Sequence, residues 1–274
     1  MVRWRKFMKM LPGVYKSAKK DGSISYRASI TFRSKHISLG SFKSEEQAHY
    51  AYLDAAEIIN NSNIFTPDNY SASLCRMLPF SKWVVLNNFK NNGIYIKTPI
   101  YLRKTFFNYY ISEHDVLTFD ADDLFYYSDH SILRRGSHLF VTEYGMQVNI
   151  ASRYGIRNFA RPGKDFRFVN GNHNDFRYEN IEILNPYQGV TIERKSEKTC
   201  YVTRIHINGN FTAGRYPSIE EAAIAYNKAA DLLEKKGVTK HFERNYIEEM
   251  PAKEYMDIYN SASISEKIIN YKLY

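Results

Sequence analysis

Cysteine is nearly missing from this chain, and so is any long apolar run. Cys75 and Cys200 are the only thiols, and no Cys-x-x-Cys pair exists, so neither a disulfide framework nor a thiolate zinc site is expected. Neither thiol has a neighbouring histidine in sequence to activate it as a nucleophile. Both are expected to be buried or idle, in a reducing compartment. No segment approaches the roughly 20 apolar residues that a membrane span needs. The start, MVRWRKFMKMLPG, is positive like a secretory leader but lacks that signal's apolar core and small-residue cleavage site. The expectation is a soluble, intracellular protein with no membrane partner. Acidic residues also run short. With 29 Asp and Glu against 38 Lys and Arg, the net charge is +9, a surplus that suits a polyanionic partner.

What is present is apolar material for more than one core and a repeated passage. Of 274 residues 44% are hydrophobic and 15% aromatic, enough for two or three domains. Residues 40–59 read GSFKSEEQAHYAYLDAAEII and residues 214–233 read GRYPSIEEAAIAYNKAADLL, with Gly, Ser, Glu, Ala, Ala-Tyr and Ala-Ala at identical offsets. Each copy opens on Gly-Val, at 13–14 and 189–190, and continues into a run that alternates at the strand period, at 26–32 and 201–207. After each helix comes a Phe and then Asn-Tyr, as Phe65 to Tyr70 and Phe242 to Tyr246, so one copy spans roughly a quarter of the chain. The pattern predicts three short strands and an amphipathic helix, with Ser44 or Ser218 as N-cap and acidic residues in the first turn. Ala48, Ala51, Tyr52, Ala55 and Ile59 fall on one helix face, as do Ala222, Ala225, Tyr226, Ala229 and Leu233. That helix covers one sheet face. The strand period leaves Arg27, Ser29, Thr31 and Arg33 on the other in the first copy, and Val202, Arg204 and His206 in the second. Such a face can enter the major groove of DNA, where Arg, His, Asn, Ser and Thr reach base edges. The plainer alternative is a solvated sheet face.

Gly-Val, an aromatic opening the second strand, Leu-Gly-x-Phe closing the third, then Glu-Glu-x-Ala and Ala-Tyr-x-x-Ala-Ala together resemble the APETALA2-type DNA-binding domain of plant transcription factors and of phage and mobile-element proteins. The first copy keeps Leu39-Gly40-Ser41-Phe42; the second has the looser Ala213-Gly214-Arg215-Tyr216. The resemblance implies that the sheet reads DNA. Carried over by position, the readers are Tyr15, Ser17, Ser29, Thr31, His36 and Ser38 in copy one, and Thr191, Glu193, Arg204, His206, Asn210 and Thr212 in copy two. Few are the arginines and tryptophans of the plant proteins, so the plant target sequence does not carry over. Lys16, Lys19, Lys20, Arg33, Lys35, Arg194 and Lys195 would add phosphate contacts, or simply solvate the surface.

Between the repeats, Phe166-Arg-Phe-Val-Asn-Gly-Asn-His-Asn-Asp-Phe-Arg-Tyr-Glu-Asn-Ile-Glu-Ile-Leu184 resembles the ββα-metal motif of HNH homing endonucleases. Gly171, Asn172, Asp175, Arg177, Glu179 and Asn180 stand in register with it. Many such nucleases pass from this motif straight into an APETALA2-type domain, as Asn185-Pro-Tyr-Gln-Gly-Val190 does. The family's chemistry needs a divalent metal and a histidine that deprotonates water. At those two places stand Arg167, a cation where the metal ligand belongs, and Phe168, which cannot take a proton. A third ligand position falls on Gly189. No catalytic residue, no metal and no cofactor are therefore expected, and Arg167 becomes a candidate contact to a DNA phosphate. His173, in the turn, is the one candidate to restore the chemistry. Asp120, Asp122 and Asp123 suit a helix N-terminus better than a Mg²⁺ site.

The predicted architecture is α+β. A three-stranded-sheet-plus-helix domain at 1–70, a degenerate HNH-like ββα domain at 71–188 and a second sheet-plus-helix domain at 189–250 precede a tail at 251–274. Residues 60–63 and 87–93 read as loops, and 94–97 and 139–143 as strands. The tail reads as one or two helices packing on the second repeat, with a homodimer contact as the alternative use of its Tyr, Ile and Met. The expected function is sequence-specific binding of double-stranded DNA by a phage or mobile-element repressor descended from a homing endonuclease, in the cytoplasm of a bacterial host and associated with its nucleoid. The competing reading is an active nuclease with a divergent metal site. Any regulatory protein or peptide partner is left open.

Overall fold

The computed structural model describes residues 10–18, 20–62, 65–71, 73, 75–195 and 198–272, and of residues 194, 195 and 198 the backbone alone. Lys19, Asn63 and the side chains of Arg194 and Lys195 lie outside that description. The protein is mixed α and β, built of small antiparallel sheets and helices. Two compact units emerge: residues 1–150 with 172–180, and residues 151–171 with 181–274. The segment 71–188, read from sequence as one domain, is divided between them.

In the first unit, β1 (Val14–Ala18), β2 (Ile24–Phe32) and β3 (Lys35–Phe42) form an antiparallel meander followed by α1 (Glu45–Asn60). Ser44 caps α1 as predicted, its hydroxyl accepting from Gln47 N at 3.2 Å. Ala48, Ala51, Ala55 and Ile58 close on Ala28, Ile37 and Leu39, and the small alanines set the helix close against the sheet. A module of this size is marginal by itself. Its core is completed by Trp83, Leu86 and Phe89 of α2 (Phe80–Asn92).

Helix α2 corrects the sequence reading, which took the asparagine-rich segment 87–93 as a loop. Weak helix propensity is overridden by bonds that the asparagines make once buried. Asn88 Oδ1 accepts from Leu102 N and its Nδ2 donates to Ile94 O, both at 2.9 Å, while Asn87 Nδ2 donates back to Trp83 O. Gly93, at φ 76°, then ends the helix with its N–H on Phe89 O. Residues 94–97, read as a strand, form none, since Asn88 holds the Ile94 carbonyl that a ladder would need.

Next come β4 (Ile100–Leu102), β5 (Phe106–Tyr110) and β6 (Val116–Asp120), then α3 (Leu124–Asp129). The helix starts beside the acidic segment, as predicted. A third meander follows, of β7 (Leu133–Arg135), β8 (His138–Glu143) and β9 (Met146–Asn149). Phe119 stacks on Tyr127 at 4.2 Å and on Phe176 at 5.6 Å, an aromatic core under the middle sheet. The free edge of β6 is covered by the 172–180 segment: Thr118 N donates to Asn174 O and Phe176 N to Thr118 O.

The second unit carries a two-stranded pair, β10 (Phe166–Phe168) with β11 (Ile181–Ile183), and a meander of β12 (Val190–Lys195), β13 (Lys198–His206) and β14 (Asn210–Tyr216). Helix α4 (Ile219–Lys235) is capped by Ser218, whose hydroxyl accepts from Glu221 N at 3.1 Å. Helices α5 (Ala252–Ser261) and α6 (Glu266–Ile269) complete this core with Ile264 and Ile268. Tyr216 donates its hydroxyl to Ser263 O, and Ser265 N donates to Ala213 O, so the tail packs on the second repeat. The expected ββα motif is reduced to its strands. Between β11 and β12 no helix forms, because Asn185 ties that crossing down with 2.9 Å bonds from Nδ2 to Asp165 Oδ1 and to Val190 O.

Cys75 sits in the core of the first repeat, where burial pushes its thiol up to about 12. Cys200 is half-buried on a strand. In the folded protein at pH 8, a thiol reagent should therefore modify Cys200 at least ~100-fold faster than Cys75, a gap that denaturant should erase. Comparable native rates would place Cys75 outside the core.

Candidate nucleic-acid interface

Strand register decides which side chains share a face, and in both repeats it is the same register. In the first, Tyr15 pairs with Arg27 and Ser17 with Ser25 across β1 and β2. Across β2 and β3, Thr31 pairs with His36, Ser29 with Ser38 and Arg27 with Ser41. Since side chains alternate along each strand, these residues line the face opposite α1. The pairing slips by one residue between Ala28 and Ser29, a bulge that takes up Leu39. The second repeat slips at the equivalent step, between Thr203 and Arg204. There Thr191 lies opposite Val202, Glu193 opposite Cys200, Val202 opposite Arg215, Arg204 opposite Thr212 and His206 opposite Asn210.

The bulge explains two residues that sequence reasoning missed. An extra residue reverses which parity faces outward, so Ser41 and Arg215 join the candidate face although simple alternation from Ser38 and Thr212 excludes them. Only recognition of the bulge, at the glycine of Leu39-Gly40 and Ala213-Gly214, would have found them.

On the first face Tyr15 is 58% exposed, and Arg27, Thr31, His36 and Ser38 are exposed, with Ser17 half-buried. Ser29 is not presented: it is 7% exposed, and its hydroxyl has no hydrogen-bond partner among the described residues. Arg33 is also committed elsewhere. It occupies the β2–β3 turn at φ 47°, lies over the Phe32 ring and donates to Phe89 O and Lys90 O, closing the C-terminal end of α2. The turn thus aims Arg33 off the face to which strand alternation assigned it. Lys16 and Lys20 are exposed, and Lys35 rests over the Tyr95 ring.

The second face is more tightly wired. Arg204 donates to Glu193 at 2.7 Å, with Arg215 3.8 Å from the same carboxylate. His206 Nδ1 lies 3.1 Å from Asn210 Oδ1, and Lys240 Nζ donates to His206 O. Val202 is fully buried. Thr191, Arg204, His206 and Asn210 also line a groove of about 700 Å³ in the second unit, together with residues of the 157–161 loop and of the 240–243 segment. Sequence reasoning missed that lining. Its signal was the run Arg157-Asn-Phe-Ala-Arg-Pro-Gly-Lys164, basic with an aromatic inside it.

At the nuclease-like motif, Arg167 and Phe168 lie on β10, and Arg167 is paired across the ladder with Glu182, its Nε donating at 2.5 Å. The surplus positive charge expected there is thereby matched by a carboxylate. In the first unit, Arg177 forks onto both oxygens of Asp175 and reaches Glu179, while Asn180 Nδ2 donates to Asp175 O at 2.8 Å, pinning the segment. Asp120 accepts from Tyr178 N and Asp123 is buried, which makes them scaffold residues. His173 is exposed in the turn. Among the described residues, no three His, Cys, Asp or Glu are grouped to hold a metal ion, and no helix is long and apolar enough to cross a membrane. No protein-family model, curated protein or solved structure matches the chain.

Proposed function

We propose that the protein binds double-stranded DNA through the helix-free sheet faces of its two repeats, reading sequence without cutting, as a repressor descended from an HNH homing endonuclease. The observation that carries this reading is the shared register. One bulged meander, used twice, collects polar and basic side chains opposite its helix, and a net charge of +9 supplies the attraction. Tyr15, Arg27, Thr31, His36 and Ser38 make the contacts in the first repeat, and Thr191, Arg204, His206, Asn210 and Thr212 in the second. Arg167 joins only by exchanging Glu182 for a phosphate. The β10–β11 pair is kept as scaffold: phenylalanine at 168 accepts no proton, so water activation has no base at the motif's usual place.

Sheared genomic DNA passed over the immobilised full-length chain should yield a small set of duplex fragments, eluted in a narrow salt window. Incubated with Mg²⁺ or Mn²⁺, those fragments should remain intact. Cleavage that disappears in His173→Ala would replace this reading with a divergent nuclease, and an absence of salt-sensitive retention would remove DNA altogether.

A further inference from the structure

Phe159 is 98% exposed and sits at φ 67°, a left-handed backbone conformation that an aromatic L-residue seldom adopts. The ring gains no burial within the chain in return. Its loop is nevertheless built firmly on both sides. Arg157 donates to Asn185 O and Gln188 Oε1, while Arg161 donates from its backbone N and its Nε to Asp165 Oδ2. Asp165 is itself held by Asn185. A braced loop therefore holds a strained aromatic out at the groove that Thr191, Arg204, His206 and Asn210 also line. Four cations line that groove, Arg157, Arg161, Arg204 and Lys240, against two carboxylates, Asp165 and Glu243, with a third, Glu193, bonded to Arg204. Apolar ring, flanking arginines and net positive lining together match one partner: a nucleic-acid duplex, whose phosphates meet the cations while a base step receives the ring.

We infer that Phe159 is a wedge that enters a base step next to the bases read by the second sheet, partly unstacking and kinking the duplex. This rests on the DNA-binding reading and adds to it a site, a mode and a sequence preference. Pyrimidine–purine steps unstack most readily, so the step under Phe159 is of that kind.

Duplexes recovered from genomic DNA by the full-length chain are the probe, with 2-aminopurine scanned through the flank of the bound site and dyes at the ends. The wild-type chain should raise 2-aminopurine emission at one step and shorten the end-to-end distance. Phe159→Gly should abolish both signals and weaken binding about 10- to 100-fold. The salt slope should stay unchanged, because no phosphate contact is lost. Glycine tolerates this backbone conformation, so the melting temperature should hold or rise, which separates a lost wedge from a lost fold. Phe159→Trp should keep the signals. Unchanged affinity and bend in Phe159→Gly would overturn the wedge while leaving the sheet-reading proposal standing. Weaker binding without any unstacking signal in the wild type would overturn it too, reducing Phe159 to a surface contact. A wild-type chain that retains no duplex in a salt-dependent way would sink both.

Discussion

Gly189→Ala should strongly destabilise the second repeat. Gly189 lies at φ 72°, and a Cβ placed there would stand 2.3 Å from Tyr226 Cδ2 and 2.5 Å from the carbonyl oxygen of Arg204. The first clash is with a ring and the second with backbone, which cannot step aside without breaking the bond from Arg204 N to Gly189 O. Left-handed strain on alanine costs about 1–2 kcal/mol, and overpacking about 1–3 kcal/mol more. A loss near 4 kcal/mol is a large fraction of a small domain's stability. Gly13→Ala meets the same geometry at φ 76°, with Tyr52 Cδ2 at 2.1 Å, but no backbone atom is among its nearest contacts. Its effect should be smaller, about 2–4 kcal/mol, and partly relieved by Tyr52→Ala; Tyr226→Ala should give Gly189→Ala much less relief. Gly22→Ala is the control, at φ 81° with nothing within 4 Å, and should cost about 1 kcal/mol. Hydrogen exchange reads the repeats separately and would rank the three. Equal losses at Gly22 and Gly189 would mean that the close approach of the helix tyrosine is not what fixes Gly-Val at the head of each repeat.

That close approach also shows why the repeats were legible in sequence. Ser44, Ser218, the alanine face and Gly-Val each answer a local demand of caps, helix-to-sheet spacing or backbone conformation, and local demands leave local patterns. Helix α2 left none. Its asparagines favour helix only because Leu102 N and Ile94 O wait for Asn88, and those partners come from chain beyond the helix. The same holds for Arg33, whose role depends on α2 lying within reach. At the candidate interface, the face residues before each bulge follow from period two, whereas Ser41 and Arg215 lie past a bulge that alternation does not reveal. The groove lining, drawn from segments around 157, 190, 206 and 241, is assembled by tertiary folding and has no contiguous signature beyond its basic loop.

The two faces should be strongly interdependent, and Glu193 should act as the brake on one of them. Each face alone offers few contacts, but joined in one chain the second binding step is intramolecular. Removing one face should then lower affinity by 10²- to 10⁴-fold, well beyond the loss of its own bonds. Arg27→Ala tests the first face, on an exposed side chain opposite Tyr15. Arg204→Ala should do more damage to the second. It deletes a cation and the 2.7 Å pairing with Glu193, while the carboxylate that remains, with Arg215 3.8 Å away, repels phosphate. The double variant should bind no more tightly than nonspecific contacts allow. In the opposite direction, Glu193→Gln frees the Arg204 guanidinium and removes a negative charge from the interface, so affinity for any duplex should rise, by about 10-fold at low salt, with a steeper salt dependence. If Glu193 also accepts a hydrogen bond from a cytosine amino group, as carboxylates in a major groove do, the same substitution should narrow the ratio of specific to nonspecific affinity. Titrations of both variants against a recovered fragment and a scrambled one, across salt, separate the two effects. Unchanged affinity in Arg27→Ala, Arg204→Ala and Glu193→Gln alike would show that neither sheet face meets DNA.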